Sequence, residues 1–384
     1  MASLRRRVAK KLVGFAPDFP EDRDRGGLRS SKPDAAEFPV PELVLFTLRN
    51  LMGWRWHGPG EKVRWSVYGS VAGEPVGFEL RKFGFTVLRS VHAVVPDDRI
   101  IGQLQSALKV VEAALEPVAQ SQIDLGEVLI VNRSSEFDAR YRFFRENADK
   151  AYRKADKPPR PKTPRAMDGK SLIADLTAGL NRSMSLTREG FFHSAAMVDA
   201  YFSALEHRLV LLRAFSGAPL EPGDLRRILA DKWDDKLKAV AVIAGDTEAE
   251  RLLAAMRRIK DRIRNPFAHG GVENDGGSLF FHLPHIGAIP ANFTRFGDSV
   301  RFSFTPIEAA DHKECCAAFD QLDELLSSGP LFGPHRLLDG GIDPSFSGEA
   351  LKAYAEAAAG GERALDRFIE VWSHRWERHA NMDY

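Results

Sequence analysis

Residues 171 to 215, SLIADLTAGLNRSMSLTREGFFHSAAMVDAYFSALEHRLVLLRAF, form the stretch that most narrows what this chain can become. Apolar positions recur at three and four residues, with Phe192, Ala195, Ala196, Val198, Ala200, Phe202 and Leu205 supplying apolar surface. A strand repeats every two residues and rarely runs so long, so the pattern predicts helix, with an interruption near 183 to 188. A helix this apolar must be covered by others. Two further helical patterns follow at 224 to 243 and 247 to 265. In the second of these, Thr247 and Glu250 suggest a capping box, and Leu252, Leu253, Met256, Ile259 and Ile263 make one stripe. The helix should end near Asn265, because Pro266 biases the residue before it away from helical geometry.

Beyond it, SLFFHLP and SVRFSFTPI read as two β-runs joined by HIGAIPANFTRFGD, a hairpin inserted at about 277 to 305 between two bundle helices. AADHKECCAAFDQLDELL supplies the next helix. A C-terminal helical extension, 329 to 384, leaves Phe368, Ile369, Trp372 and Trp376 in need of an apolar partner. The helical bundle is thus assigned to 171–328.

The first half has a different rhythm. VRWSVYGSV, PVGFELR and FGFTVLRS alternate and are punctuated by Gly and Pro, as hairpin strands are. A short helix at 41 to 56 precedes them, a longer one bracketed by Pro96 and Pro117 follows, and EVLIV at 127 to 131 suggests a further strand. Residues 38–135 are therefore expected to be a small α+β domain. Residues 1–37 read as a flexible basic arm, and 136–170 as a basic, aromatic-rich helix running into a Pro/Lys linker. Basic residues interleaved with rings can follow a nucleic-acid backbone; a solvated helix with a spacer has the same composition.

The formal net charge of the 384 residues is +1, so no global field steers an acidic partner, and any nucleic-acid contact must use local basic patches. The two cysteines, Cys315 and Cys316, are adjacent, which suits neither an ordinary disulfide nor a zinc site and points to a reducing compartment. No signal-peptide core or membrane-length apolar run is present, so a cytoplasmic location is expected. Walker, GxSxG, HExxH and CxxC patterns are absent. His282 and His285 fall on opposite faces of an expected strand and make no zinc signature.

The chemical candidate is RRIKDRIRNPFAHGG, 257 to 271. Arg264 closes an amphipathic helix, Asn265 follows at once, and four residues separate Arg264 from His269. The spacing alone is common here, since Arg188 and His193 share it. A basic last turn followed by glycines also complements the helix dipole and ends a helix without any catalytic role. The Asn and the amphipathic helix single out Arg264. RNA cleavage by its own 2′-OH needs a base for that proton, an acid for the departing 5′-oxygen, and a cation for charge building on phosphorus. A histidine titrates near neutrality and serves either proton transfer; an arginine grips two phosphate oxygens with its planar fork.

Arg-Asn, three residues and His at a helix end, preceded by the long helix FFHSAAMVDAYFSALEHRLVLL, resembles the HEPN superfamily of α-helical bundles. The resemblance covers roughly 171 to 328. It implies a metal-independent ribonuclease without cofactor, in which two protomers pair their motifs into one cleft. Arg264 matches the family Arg, Asn265 the polar position and His269 the catalytic His. Glu206 is similar to an acidic residue that some members set against the motif, and Lys260 and Arg257 would be substrate contacts. A subgroup carries Tyr two residues after the His, where this chain has Gly271. RNA as partner, a homodimer, a toxin or antiviral defence role, and an N-terminal domain answering to an unknown regulator are what the resemblance implies. A non-catalytic RNA- or nucleotide-binding and dimerisation module, or a purely structural one, stays open beside it.

Overall fold

The computed structural model describes residues 1–19, 27–157, 169–265, 279–291 and 305–381, and the chain divides into two compact units. The first comprises Met1–Asp124 with Glu370–Tyr384, and the second Leu125–Ile369. An N-terminal sheet region is followed by mostly helical chain.

The first unit is built on an antiparallel sheet in the order β1 (Phe15–Ala16), β4 (Val63–Val71), β5 (Glu74–Arg81), β6 (Gly84–Ser90) and β2 (Leu28–Ser31), with β3 (Arg55–His57) added on β4. Its centre is the meander β4 (Val63–Val71), β5 (Glu74–Arg81) and β6 (Gly84–Ser90), the three alternating runs of the sequence. Val71 pairs with Glu74, so Ala72 and Gly73 make a two-residue turn, and both have positive φ (53° and 83°) as a type I′ turn requires. Trp65, Val67, Phe78, Phe85 and Val87 face one way. Val44 of the short helix α2 (Glu42–Leu45) and Ile100, Leu104 and Val111 of helix α3 (Asp97–Asp124) belong to the same core. Pro117 lies inside α3 rather than ending it.

The expected flexible arm belongs to this core. Residues Ala2–Ala9 form α1, whose Val8 is fully buried together with Leu12 just beyond it, while β1 (Phe15–Ala16) and β2 (Leu28–Ser31) join the sheet edges. Leu4, Val8 and Leu12 recur every four residues and make a narrow helical stripe, which the intervening arginines and lysines disguise.

EVLIV does not extend the sheet. Its Val128 and Ile130 belong to the second unit and exchange backbone hydrogen bonds with Pro344 and Phe346. In that unit α4 (Ser134–Ala155) lies antiparallel to α5 (Gly169–Phe215), as the pairs Arg133 with His207, Tyr141 with Tyr201 and Tyr152 with Ser194 show. The basic aromatic helix is therefore a bundle member that buries Tyr141, Ala148 and Tyr152. The Pro/Lys linker after it lies outside the described residues.

No break occurs in α5 near 183 to 188. That stretch contains no Gly or Pro, and Ser183 Oγ donates to the Ala155 carbonyl. Helices α6 (Asp224–Ala230), α7 (Trp233–Val240) and α8 (Thr247–Ile259) follow, then a strand pair β7 (Leu279–Leu283) and β8 (Gly287–Ala291), and α9 (Ala309–Ser327). The Tyr201 and Phe319 rings stack at 3.8 Å, joining α5 to α9. Three helices complete the chain, α10 (Phe332–Asp339), α11 (Gly348–Ala359) and α12 (Glu362–Asn381). Trp372 and Trp376 stack on α12 with Trp376 53% exposed.

Two expectations shift in register. The cap of α8 is Asp246, which accepts from the amides of Glu248 and Ala249, while Glu250 accepts from Gly245 N–H. The hairpin closes earlier than expected: Phe281 pairs with Ile289, so the second strand is GAIPA, within the expected connector. Pro284 stops the first strand, and His285 and Gly287 turn the chain with φ of 66° and 100°. The expected partner strand, SVRFSF, lies outside the described residues.

Helices α4 and α5 approach closely at Gly190, where an added Cβ would lie 2.7 Å from the Tyr152 ring. That ring cannot swing aside freely, because its hydroxyl donates to the Ile307 carbonyl at 2.9 Å. Alanine gains roughly 1 kcal/mol of helix propensity, and overpacking costs about 1–3 kcal/mol. Gly190→Ala is expected to lower the denaturation midpoint; a raised midpoint would show the contact to be compliant.

Candidate functional site

Five apolar residues of the α8 stripe, Ala249, Leu252, Leu253, Met256 and Ile259, are buried. The helix then widens into a π-helical turn, Lys260–Arg264, before Asn265. Ile263 remains buried, four residues after Ile259, so Lys260 and Arg264 share another face, which is turned toward α5.

On α5 these cations meet a carboxylate and a ring. Arg264 Nε donates to Asp199 Oδ1 at 3.3 Å, and its guanidinium carbon lies 5.9 Å from the centre of the Phe202 ring. Lys260 Nζ stands 6.0 Å from Phe202 and 5.7 Å from Trp233, the range of cation–π attraction. Burial lowers the Lys260 pKa, and the neighbouring Arg264 charge lowers it further; Glu206, Asp234 and Asp261 pull the other way. Glu206 thus acts on Lys260, two turns along α5 from Asp199. From α4, Arg140 reaches the second oxygen of Asp199 at 3.5 Å.

The other expected contacts divide. Arg257 is committed to Asp234, which accepts from its Nε at 3.2 Å and its terminal nitrogen at 2.6 Å. Asn265 Nδ2 donates to Asp261 Oδ1 one turn back. His269, with Pro266, Gly270 and Gly271, lies outside the described residues. Arg264, Lys260 and Glu206 are brought together, and Asp199 and Arg140 are site residues missed in the sequence. Asp199 had a faint signal: it precedes Phe202 by three residues and Glu206 by seven, the spacing of one helix face. Of the other Arg/His pair, His193 has its ring 6.2 Å from Phe144, while Phe192 is 60% exposed rather than core.

A second polar group lies where α4, α5 and α9 meet, with Asp149 half-exposed at its edge. His312 Nδ1 lies 3.0 Å from Ser194 Oγ, and its Nε2 lies 3.2 Å from Asp149 Oδ1. With Asp149 accepting from Nε2–H, Nδ1 is left to accept the serine proton. The connectivity is that of a nucleophile relay. Yet Ser194 and His312 are each 1% exposed, so no substrate reaches the hydroxyl. Cys316 is also spent on packing, its thiol pushed up to about 11 by burial. Among the described residues no group of His, Cys, Asp and Glu is arranged to hold a metal.

Burial lowers the His312 pKa, against the opposing pull of Asp149; Arg145 and Lys313 lower it further. The His207 pKa is lowered too, by burial and then by Arg133, whose backbone N–H donates to its Nε2. Both rings fold neutral. The stability this confers is full above the unfolded histidine value, about 6.5, and falls as pH drops below it, because the unfolded chain takes up protons that the folded sites resist. The urea midpoint should fall between about pH 7 and pH 5, and fall less in His312→Gln; equal falls would assign the effect elsewhere.

Compared with known proteins, the chain matches no family model, no curated protein and no solved structure. Among the described residues no helix is long and apolar enough to cross a membrane.

Proposed function

We propose that the chain is a metal-independent RNA endonuclease of HEPN type, its bundle in the second unit and its first unit serving recruitment or regulation. The observation that carries this is Arg264: at the end of an amphipathic helix, partly exposed, anchored by Asp199 and flanked by Lys260, it offers a fixed fork to a phosphate. His269, close after it in sequence, supplies the proton transfers. The 2′-OH attacks phosphorus, its proton goes to a base, and the 5′-oxygen leaves with a proton from an acid, giving a 2′,3′-cyclic phosphate and a 5′-OH. One bundle carries one such Arg and His, which supports a homodimer with a composite cleft. A toxin or antiviral defence role in the cytoplasm, under an unknown regulator, is the setting this activity suits.

A non-catalytic RNA- or nucleotide-binding module is the other reading, favoured by Asn265 donating within its own helix rather than to substrate. The purified protein incubated with total RNA in EDTA separates the two. Cleavage leaving cyclic phosphate and 5′-OH ends supports the endonuclease, and binding without cleavage supports the module.

A further inference from the structure

Asp199 is where two helical elements deliver an arginine each. Arg264 comes from the π-helical turn after α8 and takes Oδ1, and Arg140 comes from α4 and takes Oδ2. The carboxylate is 45% exposed and Arg140 52% exposed, so the junction opens to solvent rather than stapling a core. Among the described residues neither guanidinium has another hydrogen-bond partner. Lys260 stands beside Arg264, under the pull of Glu206, Asp234 and Asp261.

We propose that Arg140 and Arg264 form a two-guanidinium clamp for the phosphodiester backbone of single-stranded RNA, with Asp199 as its positioning residue. This rests on the ribonuclease proposal for the RNA itself and adds a contact from outside the motif. Asp199 holds Arg264 by Nε, which leaves the terminal nitrogens pointing to an incoming phosphate. It also screens the two cations from each other while the clamp is empty. Arg140 binds a phosphate beside the one under attack, because it stands across the α5 carboxylate from Arg264. It contributes affinity and register, and Arg264 contributes rate.

The test uses the full chain and a short 2′-O-methyl RNA oligonucleotide, which can bind but cannot cleave itself. Arg140→Ala is expected to weaken binding about tenfold and to reduce the slope of log affinity against log salt by about 0.7, the loss of one phosphate contact on a single strand. Arg140→Lys should restore most of both. Unchanged affinity and slope in Arg140→Ala, with an unchanged melting profile, overturn the clamp. On unmodified RNA, Asp199→Asn should lower kcat several-fold without weakening the 2′-O-methyl complex, and an unchanged kcat overturns the positioning role. The two proposals fail separately. An Arg140→Ala variant that cuts RNA with the wild-type kcat/KM keeps the nuclease and loses the clamp. A wild type that binds the oligonucleotide through Arg140 and cuts nothing keeps the clamp and loses the nuclease. An acidic peptide that competes no better than its charge-matched scramble supports phosphate as the ligand; one that binds more tightly than the oligonucleotide overturns it.

Discussion

His269→Ala is expected to slow RNA cleavage by about 10²–10⁴-fold, the range that a positioned general acid or base contributes. Binding of RNA should change little, because the phosphate grip is assigned to Arg264, Lys260 and Arg140, which are untouched. The rate of the wild type should follow a bell in pH, as a base and an acid are both needed, and the variant should lose at least one limb. Arg264→Lys should also be slow despite keeping its charge, since an ammonium cannot present two parallel donors to a phosphate. A His269→Ala variant that cuts at the wild-type rate would show that the proton transfers belong to other residues.

The largest expected effect on stability lies at Arg208. Its guanidinium side chain is 9% exposed and is paired with Asp323 on α9 and Asp138 on α4. Tyr201, itself buried, donates its hydroxyl to the same Asp323 at 2.9 Å. Removing Asp323 therefore takes the nearer carboxylate from a buried cation, while the Tyr201 hydroxyl keeps the Phe319 carbonyl at 3.1 Å. Breaking a buried ion pair costs about 3–5 kcal/mol. Asp138 remains 3.4 Å away and the Asp323 side chain is 35% exposed, which places Asp323→Ala near the lower end, about 3 kcal/mol. Replacing Arg208 and Asp323 together by methionine and leucine should cost less than Asp323→Ala alone, because the buried cation is gone and the Asp138 it leaves behind is 34% exposed. Urea denaturation measures both; a midpoint shift in Asp323→Ala worth under about 0.5 kcal/mol, the level of an ordinary surface change, would contradict this account.

What the sequence revealed followed periodicity. The stripe from Leu252 to Ile263 and the meander around Trp65, Phe78 and Phe85 were legible because burial repeats at helix and strand spacing. Val8 and Leu12 were obscured because a stripe one residue wide is outnumbered by the charges around it. The β7–β8 register is obscure in the sequence because GAIPA is short and contains Pro290, whereas SVRFSF alternates more clearly. In the site, Arg264 and its neighbours could be found from local order along one helix. The junction at Asp199 could not: Arg140 lies 59 residues before it and Arg264 65 after it, and only the packing of α4 and α8 on α5 brings them together. The Ser194–His312–Asp149 group was hidden for the same reason, the histidine lying 118 residues after the serine.

The most direct test is single-turnover cleavage in EDTA by the wild type, Arg264→Ala, His269→Ala and the double variant, all with matched melting profiles. Groups that act as one unit are strongly non-additive. If Arg264 and His269 serve one phosphodiester, each single variant falls near the background rate and the double variant is scarcely slower than either. Cleavage that persists in the double variant at the wild-type rate would contradict the central claim.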